Sequence, residues 1–173
     1  MQEGTVTTDF EARLPKRQFE VNIAAYVRLS FGEELELNGS VGGSTFNAES
    51  RSGFRSLNVA GSLAAHGANL QIRLLRFRGF RVSGEVMGQP ISGHATRRTE
   101  VVVFDGLAGQ EPVQYKLTAQ GPVTSFDRDL GLRIVFQSFF SEVMGSVDRA
   151  PDAVMVALLL PLMHYKHDAS ANT

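Results

Sequence analysis

The chain has 173 residues, 43% apolar and 20% charged, the make-up of one globular domain large enough to bury a core without staples. It has no cysteine, which excludes a disulfide framework, a thiolate nucleophile and Cys-ligated metal. The net charge of −1 excludes a uniformly basic nucleic-acid binder.

Period-two alternation of apolar and polar residues dominates the first 140 residues. Residues 19–29 alternate until Ala24-Ala25, where the phase slips and a bulge is expected. Further strands are read at 35–41, 45–48, 54–65, 70–80, 81–87, 90–96, 100–104, 113–120 and 130–140. Turn signals lie at Gly42-Gly43, His66 to Asn69, Gly88 to Pro90, Asp105-Gly106 and Gln120 to Pro122. Short strands at about ten-residue spacing give an all-β, mainly antiparallel fold. The expected form is a closed or nearly closed β-barrel of about ten or more strands ending in an apolar helix.

The C-terminal part reads differently. Pro151 suits a first helical position, Asp152 the positive end of a helix dipole, and Lys166 with His167 the negative end. Residues 151–167 are therefore read as a helix, with Pro161 expected to kink or stop it. The run from Ala153 to Met163 is apolar on every side, so a helix here is buried all round; a buried strand is the alternative. The run is too short for a helical membrane span, which needs about 20 residues. Residues 1–173 form a single domain, with 1–17 as an N-terminal arm and 168–173 as a mobile tail. Met1 to Phe10 lacks the basic start and apolar core of a signal peptide, which points to the cytoplasm.

One unit recurs: apolar, small, Gly, any residue, apolar or Ala. It stands at Leu37-Asn38-Gly39-Ser40-Val41, Val59-Ala60-Gly61-Ser62-Leu63, Val82-Ser83-Gly84-Glu85-Val86 and Ile91-Ser92-Gly93-His94-Ala95. In a strand its first, third and fifth positions share a face, so each Gly points inward. Three explanations are open: wall curvature, room for the C-terminal helix, or room for a ligand.

The strand Leu132 to Phe136, the acidic connection through Asp148 and Asp152, and the apolar run Ala153 to Met163 together resemble the tubby-like barrel. That barrel is shared by tubby C-terminal domains, phospholipid scramblases and LURP-one-related proteins. The resemblance implies a helix threaded through the barrel and binding of phosphoinositides or other membrane lipids through basic residues.

Charge is placed unevenly along the chain. Residues 1–50 carry a net −4, residues 51–98 a net +7, and residues 99–173 a net −4. Every base in the middle segment is Arg, whose planar fork matches phosphate and carboxylate bidentately. The densest run, Arg73 to Arg81, holds Arg73, Arg76, Arg78 and Arg81, and Arg97 with Arg98 follows. Arg76 and Arg78 share a strand face, while Arg73 and Arg81 join them only if a bulge shifts the phase. These six arginines are the candidate anion site; the competing reading pairs them with acids of the flanking segments.

Nothing in the chain signals catalysis. There is no G-x-S-x-G elbow and no phosphate loop ending in Lys-Ser/Thr. His164 and His167 have metal-ligand spacing but no accompanying carboxylate motif, so no metal and no cofactor is expected. The expected function is a non-enzymatic barrel that binds an anionic lipid or phosphate-bearing ligand, with peripheral membrane contact and no nucleic acid. The alternative is a lipocalin-like or cyclase-like barrel holding a hydrophobic small molecule inside. Oligomeric state is left open.

Overall fold

The computed structural model describes residues 18–28, 34–75 and 79–165. Twelve antiparallel strands close into a barrel in simple chain order, with β1 completing the ring against β12. They are β1 (Phe19–Arg28), β2 (Glu34–Val41), β3 (Ser44–Gly53), β4 (Ser56–Leu63), β5 (His66–Leu74) and β6 (Gly79–Val86). The second half comprises β7 (Gln89–Arg98), β8 (Val101–Ala108), β9 (Glu111–Thr118), β10 (Gly121–Ser125), β11 (Arg128–Gln137) and β12 (Phe140–Val147). One helix follows, α1 (Ala150–His164). The arm 1–17, the tail 168–173 and the expected helical end at Lys166 and His167 lie outside the described residues.

Alternation built the wall as expected, because one face of each strand is dry and the other wet. In β1 the buried positions are Val21, Ile23 and Ala25, an unbroken period of two. No bulge forms at Ala24-Ala25, since the register against both β12 and β2 runs through without a shift. The alanines look like a phase slip only because Ala fits either face. Short turns also fall elsewhere than read: Ala64-Ala65 makes the turn and His66 to Asn69 opens β5. Asp105-Gly106 lies inside β8, with Gly106 opposite Gly93. The stretch read as 54–65 begins with a turn at Phe54-Arg55, and the one read as 130–140 divides into β11 and β12.

The helix occupies the barrel interior. Its residues Ala153 to Met163 are all buried, and it touches strands around the ring, among them β1, β4, β6 and β12. No side of it meets water, which is why no side is polar. Fifteen residues of helix span about 22 Å, close to the height of a barrel whose strands run roughly nine residues at a tilt near 40°. Pro161 neither stops nor ends the helix, which continues to His164. The chain therefore has two distinct ends. At the helix-start end lie the turns after β2, β4, β6, β8 and β10; at the helix-exit end lie the turns after β3, β7, β9 and β11.

The inward glycines are explained by curvature. A Cβ on Gly39 would run into the main chain of Asn22 and Ile23 in β1, and one on Gly61 into Asn47 and Ala48 in β3. The neighbouring strand passes directly over each Gly, so the missing side chain admits backbone, not a ligand. The structure also enlarges the set: Gly106 and Gly145 are crowded in the same way. Gly39, Gly61, Gly84 and Gly106 recur about 22 residues apart, one per two-strand unit, each three residues before a turn at the helix-start end.

Candidate functional site

Strands β5 and β6 form a hairpin whose loop is closed by the Leu75 N–H donating to the Gly79 carbonyl at 2.7 Å. The hairpin aligns Arg73 of β5 directly opposite Arg81 of β6. Both point outward and are exposed. Opposed residues on one face have Cβ atoms about 5 Å apart, so the two guanidiniums share one patch. Their opposite sequence parity is no obstacle, because the turn between them, not a bulge, brings them together. Arg76 and Arg78 lie between the two strands, outside the described residues. Beyond Arg81 the outer row continues with His94, then Asp105. The Asp105 carboxylate accepts from Gln114 Nε2 at 2.8 Å.

Like charges set opposite each other repel, so a close acid would be expected to offset them. Among the described residues neither Arg73 nor Arg81 has an ion pair. Arg55 and Arg98, both exposed, are in the same position. Arg51 behaves differently, lying 3.8 Å from Glu34 and 3.7 Å from Glu49, as the flanking-acid reading expects. Arg97 is on the inward face at the helix-exit end, where its guanidinium donates to the Tyr165 carbonyl just past α1. Burial lowers its pKa. Arg97 thus satisfies a carbonyl left open at the helix C-terminus and sets a positive charge at the negative end of its dipole.

Other polar groups around the helix are also engaged with one another. His164 Nε2 lies 3.0 Å from Ser141 Oγ, and its ring packs on Phe136 at 4.8 Å. Burial, with the charge of Arg97, pushes the His164 pKa down to about 4. At the other end the Tyr115 hydroxyl donates to Asp152 Oδ1 at 2.6 Å. Burial and the adjacent carboxylate push the Tyr115 pKa up. Arg149 approaches Glu111 at 3.9 Å. These groups line a cleft of about 280 Å³ where the wall is weakest, since β9 pairs with β10 only at Leu117 and Lys116. Its charges tie the wall to the first turn of the helix.

The barrel interior holds α1, so the hollow that a lipocalin-like or cyclase-like reading requires is taken by the chain itself. His66 and His94 are exposed on the outer surface. Among the described residues no group of His, Asp or Glu could hold a metal ion, and no helix is long and apolar enough to cross a membrane. What the arrangement can do chemically is accept an oxyanion between two unopposed guanidinium forks. Alternation did not single out Phe54, Arg55 and Phe139, which stand in turns at the helix-exit end; Gly53 before Phe54 was the available signal. Set against known protein families, curated proteins and solved structures, the chain matches none.

Proposed function

We propose that the protein is a non-enzymatic binding barrel for a phosphate-bearing anionic lipid, engaged through the outer face around Arg73 and Arg81. The observation that carries this reading is the direct opposition of these two arginines without an acid to neutralise either among the described residues. A fold keeps such a pair at some cost in stability, and an anionic ligand removes the repulsion while using both forks. Arg98, four residues past His94 on β7, extends the same charge about 13 Å toward the helix-exit end. The resemblance to tubby-like barrels points the same way, and a cytoplasmic protein in peripheral contact with a membrane belongs to the same reading.

Titration of the isotope-labelled protein with monomeric short-chain phosphatidic acid, followed by amide chemical shifts, tests the site. The largest shifts are expected at Arg73, Arg81 and their neighbours on β5–β7. Shifts confined to the cleft around Tyr115 and Asp152, or none at all, would discard the proposal.

A further inference from the structure

Phe54, in the turn between β3 and β4, is 94% exposed, and Phe139, in the turn between β11 and β12, is 56% exposed. Tyr26, near the end of β1, is 52% exposed and leans on Phe140 with ring centroids 5.2 Å apart. All three rings stand at the helix-exit end. Single exposed apolar residues are ordinary, but here three of the four exposed aromatic rings among the described residues share one end, and only Phe126, 49% exposed in the turn after β10, lies at the other. A shallow depression beside the emerging helix, lined by Ser52, Leu57, Ser138, Phe139 and Pro161, lies on the same end.

Charge follows the same axis. Arg55, next to Phe54, joins Arg73, Arg81 and Arg98 at this end, none with an ion pair among the described residues. Glu34 and Glu49 are held by Arg51 and Glu36 by Arg28, which leaves Glu100 in its turn and Glu142 near the start of β12 as the acids without an ion pair at this end among the described residues. The helix-start end is the reverse: Asp127, Asp129 and Asp148 stand in or beside its turns with Arg128, while Glu111 is held by Arg149. The barrel is thus basic at one end, where three of the four exposed aromatic rings among the described residues also lie, and acidic at the other.

We propose that the helix-exit end docks on an anionic bilayer with the barrel axis near the membrane normal. In this pose Phe54 and Phe139 insert at headgroup depth, and Arg55, Arg73, Arg81 and Arg98 face the phosphates. A soluble phosphate would engage the arginines and leave the rings in water, whereas a bilayer takes both. The acidic far end is held away from the negative surface. The proposal rests on the anion-binding reading for its charge; the apolar anchors and the orientation are its own.

Because the chain has no cysteine, single cysteines can carry an environment-sensitive dye in the full-length protein. Phe54→Cys places it at the tip, and Ala65→Cys places it in the exposed β4–β5 turn at the opposite end. With phosphatidylcholine vesicles containing phosphatidylserine, the dye at 54 is expected to shift to shorter wavelength and to be quenched by a lipid-borne quencher. The dye at 65 is expected to stay aqueous. Phe54→Ser should weaken vesicle binding about tenfold, with the thermal midpoint unchanged. A dye at 54 that stays aqueous on vesicle-bound protein, a responding dye at 65, or no vesicle binding would overturn the docking face. If in those cases phosphatidic acid still shifts the Arg73 and Arg81 amides, the anion reading stands alone. Insertion at 54 with Arg81→Glu binding as wild type would instead keep the docking face and remove the anion reading.

Discussion

His164 is an imidazole that folding keeps neutral, with Ser141 on one nitrogen and Arg97 nearby to oppose a second positive charge. Its folded pKa of about 4 lies below the unfolded value of 6.5, so between those values the unfolded chain binds the extra proton. Stability from this residue is therefore full above pH 6.5 and is lost as pH falls toward 4. The ring is only part-buried, so screening reduces the effect to about 1–2 kcal/mol. Thermal unfolding at pH 7 and pH 5 should show a drop for wild type that His164→Gln, which keeps a partner for Ser141, largely removes. An equal drop in both would assign the acid sensitivity to other groups. Nothing in the sequence around His164 revealed this environment, because its partners lie on β11, β12 and β7, far away in the chain.

At the scale of elements, alternation was legible wherever a strand carried several large apolar residues, as in β1, β4 and β6. It failed where small residues stood in for large ones. β12, with Gly145 among its inward positions and exposed Met144 on its outer face, hid behind β11; β3, with Ala48 and Ser50 inward, was read too short. The glycines were correctly placed on the inward face, but their reason was not legible, since it depends on how closely the neighbouring strand crosses. Gly61 and Gly67 separate the two situations. A Cβ at Gly61 meets the backbone of β3, whereas one at Gly67 meets nothing within 4 Å. Backbone cannot yield as a flexible side chain can, so Gly61→Ala should cost more than about 3 kcal/mol, at the large end of single substitutions. Gly67→Ala should lie within about 0.5 kcal/mol of wild type. Denaturant midpoints for the pair check this; equal midpoints would mean that the glycines serve something other than close strand crossing.

For the whole molecule, the simple order of the strands is what made the charge pattern readable. In an up-and-down barrel successive segments become successive sectors of the wall, so the +7 stretch of residues 51–98 forms one continuous side from the end of β3 to β7. What could not be read was which arginines remain open, because that depends on cross-strand partners: Arg51 meets acids, Arg97 turns inward, and Arg73 meets Arg81. The helix dipole follows the same axis, with Asp152 in its first turn and Arg97 at its last carbonyl. In the proposed function, Arg73 and Arg81 are held together for a ligand and not for stability. Arg81→Glu tests it most directly, because it places opposite charges across from each other while reversing charge on the proposed binding face. Its thermal midpoint is expected to match or exceed that of wild type. Its sedimentation with phosphatidylserine vesicles is expected to fall roughly thirtyfold. Vesicle binding equal to wild type, in a variant that still folds, would rule out this arginine pair as the lipid-binding site.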